Sequence, residues 1–213
     1  MTLLPEEIDQ YIQEHCTKQG QLLDELERET WLKIVMPRMI SSHVQGRILS
    51  LVSHMLHPKK VLEIGTFTGF SALCFSEGLA DGGIIDTLEI NEELSWIQDK
   101  YWEKAGIQSK INRITGPAMD SLKNLDGPYD LIFIDADKEG LVAYYEACLP
   151  KLRKGGILMV DNVLWSGKVV ETLKKNDRDT RSILALNKHI QDDSRVENVL
   201  LGIRDGIMTA RKI

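Results

Sequence analysis

Five short apolar segments alternate with helix-like segments between Lys60 and Asn162, and this alternation restricts the fold more than any other feature of the chain. We interpret the apolar segments as strands, with the sequences KVLEIG, IIDTLEI, KINRIT, DLIFIDA and GGILMVDN. The segments between them favour helices near 70–80, 92–105, 117–124 and 139–152. Four apolar residues in a row, Leu131 to Ile134, are typical of a strand buried on both faces of a parallel sheet. The pattern therefore predicts an α/β fold with right-handed crossovers and helices on both faces of the sheet.

The two ends of the chain follow different patterns. The last two strand candidates, VENVLLGI and GIMTARKI, are joined by Arg204-Asp205, a hairpin-length connection that predicts an antiparallel pair. The first fifty-odd residues are helical in pattern: Pro5 precedes two glutamates as in a first helical turn, and Ser42 with Gln45 fits a capping box. We predict one domain over 1–213, in which 1–57 form a helical extension or cap and 58–213 the core.

Composition excludes several classes of protein. The formal net charge of -6 counts against binding to a nucleic acid backbone, which depends on an excess of Lys and Arg. No apolar run approaches the roughly 20 residues of a membrane span, and the N-terminus lacks the pattern of a secretion signal. The three cysteines form no C-x-x-C pair, which suits free thiols in a reducing compartment. These features predict a cytoplasmic protein.

A glycine-rich turn follows the first strand in EIGTFTGFS, which contains Glu63, Gly65 and Gly69. Its G-x-x-x-G spacing lacks the third glycine of the dinucleotide fingerprint G-x-G-x-x-G, so NAD is disfavoured, although a tight turn without a ligand remains an alternative. Glu89 ends the second strand, where an acid can accept both hydroxyls of a ribose, and the short residues of GPAMDSL could leave room for an adenine. A nucleoside cofactor without a diphosphate fits all three features, and S-adenosylmethionine is one.

Two further strands end in polar residues. Asp135 ends the fourth strand, and Asp161-Asn162 ends the fifth. If these strands are adjacent and parallel, the three side chains converge at one edge of the sheet, where their oxygens suit Mg²⁺ and, less selectively, Mn²⁺ or Ca²⁺. Ordinary polar strand ends are the alternative.

Five motifs together closely resemble the cation-dependent O-methyltransferases, an S-adenosylmethionine-dependent family that includes caffeoyl-coenzyme A and catechol O-methyltransferases. The motifs are LEIGTFTGFSAL, GPAMDSL, FIDADK, GGILMVDNVLWSGKV and DGIMTARKI, and the resemblance covers Pro37 to Ile213. It implies a seven-stranded Rossmann-like sheet, mostly parallel with the last strand antiparallel, and a homodimer.

The resemblance also implies roles for single residues. Asp135, Asp161 and Asn162 match the metal ligands of the family, and Lys138 matches the lysine usually assigned as the base, although a salt bridge to Asp135 or Glu139 is the alternative for Lys138. The positions that match cofactor contacts are Met39, Ser41, Glu63, Gly65, Phe67, Ser71, Glu89, Ala118 and Asp135.

The acceptor side is less defined. Asp137 stands where animal catechol enzymes carry an aromatic residue, and Ser166 lies in the substrate-gating segment of the family, after Trp165. Trp165 either walls the acceptor pocket or packs its loop. Residues 166–181 are polar and are expected to form the rim, together with Arg38. The basic residues of this segment either contact an acidic acceptor or form a solvated surface; they are Lys168, Lys174, Lys175, Arg178 and Arg181.

The leading hypothesis is an enzyme that methylates a vicinal aromatic diol, such as catechol or a caffeoyl-type phenol. Methylation of a hydroxylated uridine in tRNA is the alternative, against which the acidic balance counts. A cofactor-binding protein without activity and an NAD-dependent dehydrogenase are two further hypotheses. Leu22, Leu26 and Trp31 either form a dimer face or pack into the core.

Overall fold

The computed structural model describes residues 3–213 and contains one seven-stranded sheet with the strand order β3-β2-β1-β4-β5-β7-β6. The strands are β1 (Lys60–Ile64), β2 (Ile84–Glu89), β3 (Ile111–Thr115), β4 (Tyr129–Ile134), β5 (Leu152–Asp161), β6 (Val196–Leu201) and β7 (Ile207–Lys212). The pairs among β1 to β5 are parallel, whereas β7 is antiparallel to both of its neighbours, β5 and β6. The Rossmann-like prediction, with an antiparallel last strand, is confirmed.

Eight α-helices surround the sheet in the described residues. They are α1 (Glu6–Glu14), α2 (Gln21–Lys33), α3 (His43–Leu56), α4 (Phe70–Ser76), α5 (Ser95–Lys104), α6 (Ala118–Lys123), α7 (Leu141–Cys148) and α8 (Arg178–Gln191). The four helices predicted between the strands are present, each shorter than its predicted segment. No described helix has both the length and the apolar composition that crossing a membrane requires.

Alternate residues of β4 pack on opposite faces of the sheet, as its unbroken apolar sequence predicts. Leu131 and Phe133 belong to one buried cluster with residues of α2 to α5, and Ile132 and Ile134 belong to a second cluster with residues of α6 to α8. All four side chains are fully buried. Full burial of an aliphatic or aromatic side chain contributes about 1.5–3 kcal/mol, so these two clusters are the main source of stability.

The N-terminal helices begin near their predicted positions, but the capping box is wrong. α3 begins at His43 with Ser42 as the N-cap residue, and the Ser42 side chain makes no capping hydrogen bond. Gln45 is fully buried and binds residues of the sheet edge instead. Pro5 lies at the N-cap of α1, one residue before the position that the sequence suggested.

α8 is the main element that the sequence analysis did not identify, because the polar residues 166–181 were interpreted as loop. Its first turn lies inside that segment. Asp177 caps the helix by accepting a hydrogen bond from the Thr180 backbone N–H at 3.1 Å. The buried side chains of the helix recur at helical spacing, and they are Thr180, Ile183, Leu186 and Ile190.

The residues proposed for a dimer face divide between the two alternatives. Leu26 is fully buried, and Leu22 packs against the cluster under α2 to α5, so both pack into the core. Trp31 is 57% exposed and remains available for a partner.

Candidate active site

The carboxyl ends of β4 and β5 bring together the side chains predicted to bind a cation. The two strands pair in parallel with Ile134 opposite Val160, so the residues that follow each of these, Asp135 and Asp161, lie at the same edge. The Lys138 Nζ donates a hydrogen bond to the Asn162 Oδ1 at 2.8 Å and lies 3.6 Å from the Asp135 Oδ1. Asn162 has a left-handed backbone (φ 61°), which asparagine tolerates better than most residues.

Two carboxylates lie near each other at this edge, and one of them is buried. Asp161 is 3% exposed, and burial, followed by the charge of Asp135, raises its pKa above the ordinary value. Such a pair of carboxylates with an amide oxygen beside them is a donor set that fits a hard divalent cation, whose charge would stabilise both acids in their ionised form. Asp135, Asp161 and Asn162 are the residues that could hold it.

A buried glutamine connects this edge to α3. The Gln45 Nε2 donates to the Asp161 Oδ2 at 2.6 Å, while the Gln45 Oε1 accepts from the Arg204 Nη1 at 2.5 Å. The second oxygen of Asp161, Oδ1, accepts from the Asn162 backbone N–H at 2.7 Å. Sequence analysis missed the contacts of Gln45 and Arg204, since their partners lie more than 100 residues away along the chain.

A cleft beside the cation edge contains most of the predicted cofactor residues. Its lining includes Met39, Ser41, Gly65, Phe67, Ser71 and Asp135. Gly65 has φ 100°, and a Cβ at this position would lie 1.9 Å from the Asp135 carbonyl oxygen. Only glycine therefore fits where the turn after β1 crosses the end of β4. Asp135 belongs both to this cleft and to the cation edge.

The carboxylate of Glu89, at the end of β2, is fixed by hydrogen bonds from two backbone N–H groups. Its Oε2 accepts from the Phe67 backbone N–H at 2.7 Å, and its Oε1 accepts from the Asn91 backbone N–H at 2.8 Å. Each carboxylate oxygen retains a lone pair that could accept a ribose hydroxyl, so the residue fits the predicted role. Ala118 is the first residue of α6 and packs partly against the core.

Glu63 lies behind the cleft rather than on its lining. It is fully buried, and its Oε2 accepts a hydrogen bond from the Thr87 Oγ1 at 2.5 Å, whereas its Oε1 has no hydrogen-bond partner. Burial raises the pKa of this carboxyl to about 7. An orphaned carboxyl oxygen next to a ligand cleft fits a site that receives a hydrogen-bond donor or a cationic group from a cofactor.

Trp165 both packs its loop and borders the site. Its ring lies against the core cluster, with Nε1 buried and unpartnered. The Lys138 Nζ lies 5.8 Å from the ring centre and the Lys168 Nζ 6.0 Å from it. Ser166 follows with φ 55°, and its backbone N–H donates to the Asp205 carboxylate. Arg38 lies in the short 3₁₀ turn Pro37–Met39, beside the cleft residue Met39.

Asp137 stabilises the turn that carries Lys138. Its Oδ1 accepts from the Tyr144 Oη at 2.5 Å, and its Oδ2 accepts from the Gly140 backbone N–H at 2.9 Å. Lys138 is followed by Glu139, which pairs with Arg178 at 3.9 Å rather than with Lys138. Of the rim lysines, Lys168 lies 3.6 Å from the Asp177 carboxylate.

Glu146, His189 and Asp193 form a second cluster of possible metal ligands, away from this edge. The Arg195 guanidinium already bridges the Glu146 and Asp193 carboxylates, with contacts of 2.7 Å to each. A cation of the protein itself therefore occupies the place that a metal would need.

Comparison with known proteins identifies the family to which this geometry belongs. The family model that matches is that of O-methyltransferases, and it covers residues 13–213. The chain belongs to the O-methyltransferase family. A curated relative in this family, the "Probable caffeoyl-CoA O-methyltransferase 2" of Dictyostelium discoideum, is 36% identical over 95% of this chain and 90% of its own length. Caffeoyl-CoA O-methyltransferase 1 of Nicotiana tabacum is 37% identical over 82% of this chain and 78% of its own length.

A solved structure of the family supports the same assignment. The O-methyltransferase from Bacillus cereus, in complex with SAH, superposes with a TM-score of 0.88 at 30% identity, and the match covers 97% of each chain. The predicted family is confirmed, and the chain is an S-adenosylmethionine-dependent O-methyltransferase. The NAD-dependent alternative is thereby excluded.

Proposed function

We propose that this O-methyltransferase transfers the methyl group of S-adenosylmethionine to one hydroxyl of a vicinal aromatic diol, a catechol or caffeoyl-type phenol, with the help of a divalent cation. The observation that carries the proposal is the joint placement of Asp135, Asp161, Asn162 and Lys138 at one sheet edge beside the cleft. Oxygen ligands of this kind suit Mg²⁺ best, with Mn²⁺ or Ca²⁺ as substitutes.

Each residue has a distinct part in this proposal. The bound cation would lower the pKa of the acceptor hydroxyl and hold both diol oxygens in place. Lys138 would accept the hydroxyl proton at Nζ, and its contact with the Asn162 Oδ1 keeps Nζ at the edge of the site. Asp135 also faces the cleft, where it can bind the amino group of the cofactor, and Glu89 binds the ribose. Fixing the oxygen and the methyl carbon in line supplies much of the remaining rate enhancement.

The acceptor would enter on the side of Trp165, Ser166 and Arg38. Trp165 packs against the core cluster on one side, so we assign it to the wall of the acceptor pocket. Asp137 is engaged by Tyr144 and Gly140, so we assign it to the turn and not to the acceptor.

A methyl-transfer assay tests the proposal directly. S-adenosylmethionine and a small panel of catechols would be incubated with the protein in Mg²⁺ and in EDTA, and the product mass measured. We expect product only with the metal. Asp161→Ala should lower the activity about 100-fold or more, because it removes one of the proposed metal ligands. Asp192→Asn, an exposed carboxylate on the far end of α8, is the matched control and should retain full activity.

Two outcomes would contradict the proposal. If EDTA does not reduce product formation, the reaction does not need a divalent cation. Methylation of tRNA that contains hydroxylated uridine, with no methylation of any catechol, would replace the acceptor by the alternative named above.

We also propose that the protein is a cytoplasmic homodimer. The free cysteines support the reducing compartment, and the exposed apolar side chains of α1 to α3, such as Tyr11, Trp31 and Met55, support a partner surface. Light scattering on the purified chain would show twice the mass of 24.1 kDa if the dimer forms.

A further inference from the structure

The turn between β6 and β7 brings an arginine to the side of the site where we place the acceptor. This turn is attached to the segment that follows the proposed ligand Asn162: the Val163 N–H donates to the Gly206 carbonyl at 3.1 Å, and the Leu164 N–H donates to the Asp205 carbonyl at 2.8 Å. Arg204 lies in the same turn with a left-handed backbone (φ 51°). It is therefore fixed between α3 and the loop that carries Trp165.

The side-chain amide of Gln45 links the Arg204 guanidinium to the Asp161 carboxylate. Its Nη1 donates to the Gln45 Oε1, and the Nε2 of the same amide donates to Asp161. Because an arginine can only donate and a carboxylate can only accept, the Gln45 amide has one possible orientation. The position of the guanidinium relative to the cation edge is fixed by this chain of contacts.

Arg204 is half-buried and forms no direct ion pair with a described carboxylate. Within residues 3–213, no carboxylate oxygen lies within 4.0 Å of its nitrogens, whereas Arg47 and Arg153 pair with Glu77 and Asp130. Its Nε and Nη2 donate to no described residue, and neither atom is closed off from solvent. A planar guanidinium with free donors matches the geometry of a carboxylate, which it can bind through two parallel hydrogen bonds.

We propose that Arg204 binds a carboxylate of the acceptor, so that the preferred acceptors are dihydroxy aromatic acids. This inference rests on the proposed function, since it needs the diol at the cation edge to direct the rest of the ring toward the β6–β7 turn. Only the Gln45 amide separates the guanidinium from Asp161, so a carboxylate carried on the ring or next to it is the group that we assign to Arg204. Arg204 is thus a specificity-determining residue.

Equilibrium binding tests the inference without turnover. Isothermal titration calorimetry would measure the affinities of 3,4-dihydroxybenzoate and of its methyl ester for the protein in Mg²⁺ and S-adenosylhomocysteine. We expect the acid to bind about tenfold tighter than the ester, a preference typical of one charge-assisted pair. Arg204→Gln should remove that preference by weakening the acid alone, and Arg204→Lys should keep part of it. Arg211→Gln, at the opposite end of β7 and paired with Glu197, is the control and should bind like the parent.

Three results would overturn the inference, and they are distinguishable. Equal weakening of acid and ester in Arg204→Gln would mean that Arg204 only orients Gln45. If the parent binds the ester in a metal-dependent way and does not prefer the acid, Arg204 does not recognise a carboxylate, but the proposed function stands. If the parent binds neither ligand, both the inference and the proposed function fail. Circular dichroism and Mg²⁺ affinity of Arg204→Gln, measured alongside, test whether the fold and the cation edge are unchanged.

Discussion

Gln45 illustrates how one neutral side chain can connect two charges of opposite sign. It contacts a guanidinium with its oxygen and a buried carboxylate with its nitrogen, and it is itself fully buried. Leucine has a similar volume but cannot make either bond, and glutamate would place a carboxylate against Asp161. The residue thereby orients a proposed metal ligand from outside the sheet.

We expect Gln45→Leu to weaken Mg²⁺ binding by about 10-fold or more, since Asp161 would lose the hydrogen bond that orients it. Displacement of bound Mn²⁺ by Mg²⁺, followed by electron paramagnetic resonance in the absence of any acceptor, measures this affinity. Gln10→Leu, on the exposed surface of α1, is the control. Unchanged Mg²⁺ affinity in Gln45→Leu would show that Asp161 needs no support from α3.

Glu63 leads to a prediction about pH. Its carboxyl has a pKa of about 7 in the folded chain, against the ordinary 4.5, because burial disfavours the ionised form. The unfolded chain loses this proton at lower pH, so the free energy of unfolding should fall as the pH rises from 4.5 to 7 and level off above 7. Glu63→Gln retains an acceptor for Thr87, removes the charge, and should raise the free energy of unfolding at pH 8 by about 2–3 kcal/mol.

Urea unfolding of the ligand-free protein at pH 4.5 and pH 8 would measure this difference. The two proteins should have nearly equal stability at pH 4.5 and diverge at pH 8. If Glu63→Gln raises the free energy of unfolding equally at both pH values, the effect comes from packing and not from ionisation. Glu92→Gln, on the exposed surface at the start of the turn before α5, should change neither.

At the residue scale, the sequence predicted the side chains whose position follows from strand ends. Asp135, Asp161 and Asn162 meet because adjacent parallel strands present their carboxyl ends at one edge, which a pattern can reveal. The contacts of Gln45 and Arg204 depend on where α3 and the last turn pack against that edge. A single sequence contains no periodic signal for such a contact.

At the scale of elements, Glu29 attaches α2 to α5. It is 8% exposed, and its carboxylate accepts hydrogen bonds from the Lys100 Nζ at 2.5 Å, and from the Lys33 Nζ and the Tyr101 Oη, each at 2.8 Å. The contact with Lys100, followed by that with Lys33, lowers its pKa to about 2. The stability that Glu29 contributes is present above pH 4.5 and is lost as the pH falls toward 2.

Glu29→Gln should lower the free energy of unfolding at pH 7 by about 1–2 kcal/mol, because two ammonium groups lose their shared partner. Glu25→Gln, on the same helix, breaks an exposed pair with Lys104 and should cost clearly less than Glu29→Gln, because solvent screens an exposed ion pair. Urea unfolding of both variants at pH 7 makes the comparison. Equal losses would mean that burial adds nothing to the Glu29 contacts.

The elements themselves were largely predictable, with one instructive exception. Strands with unbroken apolar sequences and helices between them produce strong local patterns. α8 was missed because its first turn is polar and continues a polar loop, although Ile183, Leu186 and Ile190 carry helical spacing. Its apolar face becomes visible only when the helix is extended past residue 181, where the predicted rim ended.

At the scale of the whole molecule, ligand binding should appear as thermal stabilisation. A ligand that binds only the folded chain stabilises it by about 2.7 kcal/mol at a concentration of 100 times its Kd. For a protein of this size each kcal/mol raises Tm by about 2–4 °C, so saturating S-adenosylhomocysteine should raise Tm by about 5–10 °C.

Differential scanning fluorimetry with S-adenosylhomocysteine, with Mg²⁺ and with both would measure these shifts. Mg²⁺ should add stabilisation in the parent and none in Asp161→Ala, while the shift from S-adenosylhomocysteine should persist in that variant. A Mg²⁺ shift of equal size in both proteins would place the cation somewhere other than the proposed edge.

The position of β7 also affects how the protein can be synthesised. This strand is made after all the others, yet it belongs between β5 and β6, and it pairs with Asp161 through Ile207. Until it leaves the ribosome, β5 keeps an open edge of unpaired backbone groups, and such edges invite pairing with other chains. The nascent protein therefore passes through a stage at which the five parallel strands can pair but the edge of β5 is still open. Chaperones that shield extended segments would act on this chain before β7 is made.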